Sequence, residues 1–215
     1  MGIGVLIIGA SGMGKSASMR NFKSNLSVIN VLGKPLPFRS EGLKTVQTDD
    51  PDTIISLMNK SVSEAIVIDD SGYLISNYYM ENKAPISAKM NDKYAVYDEL
   101  ATRFFKIVNS IKKLSPNKII YIMMHEDLSD TGKIKPRTIG KMLDDKVCIE
   151  GYFSIVLRAE KNEGKYVFRT NTDGASVVKS PFELFPELIE NDLFKVDQTI
   201  RAYYGLNKNQ GEKNV

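Results

Sequence analysis

Cysteine and histidine are almost missing from this chain of 215 residues, which contains one of each, Cys148 and His125. A single cysteine excludes an internal disulfide and any zinc cluster built on cysteines. A single histidine likewise excludes a histidine-rich metal site. The scarcity of cysteine is consistent with a reducing cytoplasm, and that is the compartment we expect.

Long apolar runs and targeting segments are also missing. No run approaches the ~18 residues that a membrane span requires, and the N-terminus lacks the charged start and cleavage pattern of a secretory signal. We therefore expect no association with a membrane. The net charge of +3 is compatible with nucleic-acid binding without indicating it.

The bulk composition is that of an ordinary globular protein, with 42% apolar and 26% charged residues. A chain of this length suits one α/β domain with a full core. No repeat, low-complexity block or linker interrupts it. We predict a single domain over residues 1–205, followed by a disordered polar tail over residues 206–215.

The most informative stretch is the apolar run of residues 3–8 and the glycine-rich segment that follows it. Residues 9–16 read GASGMGKS, which is the Walker A pattern G-x-x-x-x-G-K-S; we call them the glycine loop. In this pattern a strand leads into a turn of backbone N–H groups that surround an anion. We expect a helix over residues 15–23, whose N-terminal dipole adds positive potential.

Each residue type in the glycine loop has a predicted task. Lys15 is expected to reach the β- and γ-phosphates of a nucleoside triphosphate, and the Ser16 hydroxyl to ligate Mg²⁺. The three glycines are expected to allow backbone angles that a Cβ would forbid. The predicted nucleotide-binding residues are Gly9, Ser11, Gly12, Met13, Gly14, Lys15, Ser16 and Ala17.

A second motif lies at residues 65–70, AIVIDD, which predict a strand buried on both faces and ending in carboxylates. This is the Walker B pattern, in which the carboxylate at the strand end holds Mg²⁺. We assign that role to Asp69. Asp70 is a candidate base for activating water, and a solvated turn carboxylate is the alternative reading.

A further apolar strand, residues 119–124, ends at His125. Because ligands of open α/β sheets gather at the carboxyl ends of strands, His125 is a candidate sensor of a γ-phosphate, placed one strand along from the Walker B strand. The alternative is a histidine in a plain turn. The helix predicted between the two strands covers residues 94–114, where apolar side chains recur at steps of three and four.

The segment of residues 126–145 has no sustained period and several cations. Four of these, Lys133, Lys135, Arg137 and Lys141, are candidates for gripping a DNA backbone, and a solvated surface loop is the alternative. Beyond it, residues 147–159 and 165–170 predict an antiparallel hairpin. Arg158 and Arg169 flank its turn as arginine-finger candidates, or as ordinary strand arginines. A final amphipathic helix is predicted from Ile189 to Gly205.

The combination of GASGMGKS, VINVLGKPLPFR, IVIDDSGYL, MMHEDL, KPRTIGKML and the stretch from EGYFSIVLRAE to KSPFELFP resembles phage nucleotide-binding proteins with a RecA-like, AAA-type ATPase domain. Within them it is most similar to the Sak-type single-strand annealing ATPases. The resemblance runs from residue 3 to about residue 192. The two Walker motifs are shared with many other families, whereas the His-Glu strand end is more specific.

The resemblance implies a RecA-like P-loop NTPase core, with a mostly parallel sheet flanked by helices, and an enzyme that uses ATP and Mg²⁺. It also implies single-stranded DNA as a partner, a homo-oligomer, a role in phage recombination or replication, and the cytoplasm of a bacterial host. A single-strand-binding protein is a candidate further partner. Lys15, Asp70 and His125 are then the catalytic candidates, and Ser16 and Asp69 the metal ligands.

One feature of RecA-like enzymes has no clear counterpart here, since the glutamate that often activates water from an earlier strand cannot be placed. Glu41 and Asp49 are candidates without support. Three alternatives to a DNA-annealing ATPase stay open: a remodelling ATPase such as a helicase loader, a small-molecule kinase, and a structural module with a vestigial loop. The kinase reading requires an arginine-rich lid, whereas residues 126–145 contain one arginine.

Overall fold

The structure of the protein is a computed structural model, which describes residues 1–40, 42–89, 95–138, 148–172 and 174–206. Side chains are described for all of these except residues 83–89 and 95–97. The predicted tail beyond residue 206, and with it the prediction of disorder there, lies outside the described residues. None of the described helices is long and apolar enough to cross a membrane.

A mixed sheet forms the centre of the described chain. Its strands are β1 (Ile3–Gly9), β2 (Leu26–Asn30), β3 (Lys44–Gln47), β4 (Ala65–Asp69), β5 (Ile119–Leu128), β6 (Ile134–Pro136), β7 (Ile155–Asn162), β8 (Lys165–Arg169) and β9 (Leu188–Glu190). The order across the sheet is β3-β2-β4-β5-β1-β7-β8-β9, and β6 pairs with β5.

Strands β1 to β5 and β7 pair in parallel, whereas β6, β8 and β9 pair with their neighbours antiparallel. The α/β class, the mostly parallel sheet and the C-terminal antiparallel hairpin are therefore confirmed. The hairpin turn contains Glu163 and Gly164, both with positive φ, which matches the twist of the flanking strands.

Within the described ranges, four α-helices flank the sheet: α1 (Pro51–Lys60), α2 (Tyr73–Lys89), α3 (Ala95–Ile111) and α4 (Leu193–Tyr203). The same ranges include 3₁₀ helices at Ser16–Asn21 and Ile149–Tyr152. Asp50 caps α1 by accepting a hydrogen bond from the Thr53 N–H at 2.8 Å. A bond from the Thr53 hydroxyl at 2.7 Å, together with this N–H bond, holds the pKa of the Asp50 carboxyl below its usual range.

The core consists of two apolar layers, one on each face of the sheet. In β1, Leu6 and Ile8 point into the layer shared with α1 and α3, whereas Val5 and Ile7 point into the layer shared with α4. Strands β1 and β4 are continuous apolar runs because helices cover both of their faces. This arrangement brings the ends of β1, β4 and β5 together at one edge of the sheet.

Several local predictions differ from the structure. The chain after the glycine loop forms only the 3₁₀ helix Ser16–Asn21 instead of a helix over residues 15–23. For residues 72–82 the sequence predicts a loop or a short helix, whereas the structure has the longer helix α2 over Tyr73–Lys89. Strand β5 continues past His125 and forms a hairpin with β6. Ile189 lies in β9 instead of the last helix, and β7 begins at Ile155 instead of residue 147.

Tertiary contacts account for two of these errors. Tyr73, Tyr78 and Tyr79 pack against the core, which stabilises α2 where the sequence shows little apolar period. Asp192 follows β9 with an extended backbone. It caps α4, because its carboxylate accepts hydrogen bonds from the Phe194 and Lys195 N–H groups. Ile189 therefore continues the period of the helix by coincidence.

Candidate active site

The glycine loop, Asp69 and His125 meet at the carboxyl edge of the sheet. Strand β5 lies between β1 and β4, and the register aligns Gly9 with His125. The adjacent pair β2 and β4 aligns Asn30 with Asp69. The expectation that His125 lies one strand along from Asp69 is confirmed, and three parallel strand ends thus present polar groups to one space.

The three glycines of the loop serve different purposes. Gly12 and Gly14 have φ of 77° and 88°, values that favour glycine, as predicted. Gly9 has no positive φ, so that part of the prediction was wrong. A Cβ at Gly9 would lie 2.7 Å from the Ala159 carbonyl oxygen of β7, so glycine is required there by close packing.

Lys15 is buried and folds back onto the glycine loop. Its Nζ donates hydrogen bonds to the carbonyl oxygens of Gly9 at 2.7 Å and Ala10 at 2.9 Å. Burial lowers the pKa of the ammonium, while the charges of Asp70 and Asp69 oppose that shift. A buried ammonium that has only carbonyl partners would gain from contact with an anion in the cleft.

Ser16 and Asp69 are in direct contact, with the Ser16 Oγ donating to Asp69 Oδ1 at 2.9 Å. Asp69 is only 5% exposed, and burial raises the pKa of its carboxyl while the hydrogen bond from Ser16 opposes the rise. Two sequence motifs that lie 53 positions apart therefore present a hydroxyl and a carboxylate to the same point.

This pair fits a hard divalent cation in its chemistry, because both donors are oxygens. Among the described residues no group of three or more acidic, histidine or cysteine side chains could hold a metal ion. Mg²⁺ at Ser16 and Asp69 would therefore take its remaining ligands from water and from phosphate oxygens, as Mg²⁺ does in nucleotide sites.

Asp70 leaves β4 with a φ of 57° and holds two cleft side chains together. Its Oδ2 lies 3.2 Å from Lys34 Nζ, and its Oδ1 lies 3.7 Å from His125 Nε2. Burial lowers the pKa of His125, and the nearby charge of Lys15 adds to that effect. The three catalytic candidates Lys15, Asp70 and His125 are thus brought into one place.

A cleft of about 650 Å³ opens in front of these groups. Its lining includes the predicted residues Ser11, Gly12, Gly14, Lys15, Ser16, Ala17, Asp69, Asp70 and His125. Met13 does not line the cleft, because its side chain packs against the apolar layer on the α4 side. Gly9 contributes only its carbonyl oxygen to Lys15.

The cleft is also lined by residues that the sequence did not indicate: Arg20, Asn30, Lys34, Pro35, Pro37, Tyr166 and Asn191. Asn30 and Lys34 could have been found, because they follow an apolar strand just as His125 does. Tyr166 and Asn191 carried no local signal. Asn191 is buried, its Nδ2 has no hydrogen-bond partner in the part of the chain that the structure describes, and its side chain would lie 3.1–3.3 Å from a Cβ at Gly14.

Both arginine-finger candidates are held in ion pairs within the chain. Arg158 grips Glu126 through Nε and Nη2, at 2.7 and 3.0 Å, and bonds Glu160 at 2.7 Å. Arg169 contacts Glu160 and Glu187. A finger reaching into a neighbouring subunit would first have to break these bonds, so the contacts favour a structural role across the end of β1.

Three of the four DNA-binding candidates lie on and beside the β5–β6 hairpin. Lys133 and Arg137 are exposed, Lys135 is partly buried, and Lys141 lies outside the described residues. The Arg137 N–H donates to the His125 carbonyl oxygen at 2.7 Å, so this hairpin is joined to the cleft. Of the candidates for an additional base, Glu41 lies outside the described residues, and Asp49 accepts a hydrogen bond from Asn77 away from the cleft lining.

Comparison of the chain with known families and with curated proteins yields no match. The chemical groups that line the cleft are therefore the basis for inferring a function. Its described lining combines residues of the glycine loop, a buried lysine, a hydroxyl–carboxylate pair and a histidine. Such a set suits a polyphosphate and a divalent cation better than an apolar ligand.

Proposed function

We propose that this protein is a Mg²⁺-dependent ATP hydrolase with a RecA-like P-loop core. The single observation that carries the proposal is the hydrogen bond of 2.9 Å between the Ser16 hydroxyl and Asp69, directly beside the glycine loop and Lys15. Lysine, hydroxyl and strand-end carboxylate are the three side chains that nucleoside triphosphate hydrolases of this class use on phosphates and metal.

Each residue then has a task in the proposed reaction. The N–H groups of the glycine loop and the Lys15 ammonium bind the β- and γ-phosphates, and Ser16 and Asp69 hold the cation. The cation, when bound, neutralises charge on the phosphates. Asp70 takes a proton from the attacking water, and His125 contacts the γ-phosphate from the end of β5.

We further propose that the substrate DNA is single-stranded and that the protein promotes annealing or strand exchange. The resemblance to Sak-type ATPases motivates this proposal. The exposed cations of the β5–β6 hairpin support it, because Arg137 is bonded to His125 and could transmit the state of the nucleotide. In this proposal the protein acts in the cytoplasm as a homo-oligomer.

Replacement of Lys15 tests the nucleotide site. We expect Lys15→Ala to lose ATP binding, measured by titration calorimetry with Mg²⁺, while its urea unfolding midpoint stays close to that of the unsubstituted protein. Lys112→Ala, which removes an exposed lysine far from the cleft, is the matched control. Undiminished ATP affinity in Lys15→Ala would show that the glycine loop does not hold the phosphates.

Charge reversal tests the DNA interface. The double variant Lys133→Glu and Arg137→Glu should weaken binding to an oligothymidine and reduce the slope of log K against log salt by roughly 1.4, since each lost phosphate contact contributes about 0.7 for single strands. Lys112→Glu with Lys113→Glu makes the same change of net charge elsewhere. Equal slopes in both variants would move the DNA contact away from the hairpin. Failure of the unsubstituted protein to bind DNA would favour a remodelling ATPase that acts on a protein.

A further inference from the structure

The segment after β2 places Lys34 in the cleft lining, together with Lys15, which is proposed to bind the phosphates. The buried Asn30 fixes its backbone twice, because Asn30 Nδ2 donates to the Lys34 carbonyl oxygen at 2.6 Å and Asn30 Oδ1 accepts from the Gly33 N–H at 2.8 Å. Pro35 and Pro37, which follow, line the cleft and restrict the chain further. The main chain at Lys34 is therefore held by two hydrogen bonds to Asn30.

The side chain of Lys34, by contrast, is 60% exposed and makes contacts that can be exchanged. Its Nζ pairs with Asp70 at 3.2 Å and lies 5.4 Å from the centre of the Tyr73 ring. An ion pair this exposed contributes on the order of 0–1 kcal/mol, so a stronger anion can displace it. The flexible four-carbon stem allows that movement while the backbone stays in place.

Lys34, Lys15 and His125 share this end of the cleft with the Asp70 carboxylate. Lys34 Nζ and His125 Nε2 lie 3.2 and 3.7 Å from oxygens of the same Asp70 carboxylate. All three line the same cleft as Ser16 and Asp69. The two lysine ammonium groups at one concave site attract a polyanion.

We propose that Lys34 is a catalytic residue for the hydrolysis argued above, and that its ammonium leaves Asp70 to contact the γ-phosphate of a triphosphate bound to the same chain. This inference rests on the proposed function. Arg158 and Arg169, the sequence-based candidates for such a charge, are engaged with Glu126, Glu160 and Glu187. Lys34 contacts Asp70 directly through one ion pair of 3.2 Å, whereas Arg158 donates two hydrogen bonds to Glu126.

Movement of the Lys34 ammonium away from Asp70 has two consequences for the hydrolysis. The oxygen of a water molecule bonds to the γ-phosphorus, and the bond from the γ-phosphorus to the bridging oxygen breaks with its electron pair remaining on ADP. A proton of the water passes to the Asp70 carboxylate, which Lys34 has vacated. The Lys34 ammonium stabilises the charge on the γ-phosphate oxygens in the transition state.

Steady-state kinetics of Lys34→Met give the first test. We expect kcat to fall by about 10²–10³-fold, as for removal of one charge-stabilising donor, while KM for ATP changes by less than about threefold. Lys34→Arg should retain kcat to within about tenfold, because it keeps the cation. The control is Lys106→Met, since Lys106 belongs to another exposed pair, with Asp52, outside the cleft. Unchanged kcat in Lys34→Met would overturn the inference.

A second measurement separates direct contact from an effect exerted only through Asp70. The affinity for ADP alone and for ADP with aluminium fluoride, a mimic of the transferring phosphoryl group, is compared in Asp70→Asn and in the double variant with Lys34→Met. We expect the double variant to bind the mimic at least tenfold more weakly than Asp70→Asn, with equal affinity for ADP. Equal affinities for the mimic would show that Lys34 only positions Asp70.

Mixing two defective variants tests whether Lys34 serves its own chain. Lys34→Met keeps its nucleotide loop but lacks the cation, whereas Lys15→Ala keeps Lys34 but does not bind nucleotide. We expect the mixture to be no more active than the sum of its components. A gain on mixing would show that Lys34 acts on a neighbouring subunit's nucleotide, contrary to the inference.

The two proposals fail in different ways. Absence of ATP turnover by the unsubstituted protein would remove the proposed function and this inference together. Turnover by the unsubstituted protein that Lys34→Met leaves intact would remove only the inference and leave the hydrolase assignment standing.

Discussion

Gly14 and Gly12 offer a matched pair of substitutions in the glycine loop. Both have positive φ, 88° and 77°, so replacement by alanine strains the backbone at each position by roughly 1–2 kcal/mol. Their surroundings differ. Nothing lies within 4 Å of a Cβ at Gly12, whereas a Cβ at Gly14 would lie 3.1–3.3 Å from three side-chain atoms of Asn191.

The difference between the two variants measures the contact with Asn191. We expect Gly12→Ala to lower the free energy of unfolding by about 1–2 kcal/mol and Gly14→Ala by about 1 kcal/mol more, because the buried amide of Asn191 must shift by a few tenths of an ångström in a close-packed site. Urea denaturation followed by circular dichroism measures both values from the midpoint and slope.

Removal of the neighbour provides the control. In Gly14→Ala combined with Asn191→Ala, the cost of the glycine substitution should fall to that of Gly12→Ala, because only the backbone strain is left. Equal destabilisation by Gly12→Ala and Gly14→Ala in the original background, within about 0.3 kcal/mol, would refute the packing argument and leave glycine at position 14 required by φ alone.

Two further predictions concern a buried network and the single histidine. Tyr121→Phe should lower the free energy of unfolding by about 1 kcal/mol, since it removes only the 2.8 Å hydrogen bond to Asp197. Asp197→Ala should lower it by about 3–5 kcal/mol, because Arg201 would stay buried without its main partner. Urea denaturation that ranks the two variants in the opposite order would contradict this account. The NMR titration of His125, the one histidine in the chain, should give a pKa below 6.5 in the folded protein and near 6.5 in urea. Because the unfolded chain then binds the proton more readily, stability should fall as pH drops through 6.5 toward the folded pKa, and His125→Gln should remove that part of the loss; a folded pKa above 6.5 would show that Asp70 outweighs burial.

Much of the fold could be predicted because local rules and tertiary structure agree there. The apolar runs of β1, β4 and β5 and the apolar period of α3 occur where their patterns predict them. The predictions failed where contacts between residues distant in sequence determine the secondary structure. Pairing with β6 extends β5, contacts of Tyr78 and Tyr79 with the core accompany α2, and pairing with β8 takes Ile189 into β9.

The residues of the candidate site also fall into two groups, those that the sequence indicates and those that only the tertiary structure identifies. The order of residues along the chain was enough to choose the glycine loop, Lys15, Ser16, Asp69 and His125, because each stands at the end of an apolar strand in a pattern with a known chemical use. Their convergence at one sheet edge, and the participation of Lys34, Asn30, Tyr166 and Asn191, come from segments distant in sequence. Only the tertiary structure could decide these, because the order of parallel strands in a sheet is set by packing and crossover connections and leaves no local trace in the sequence.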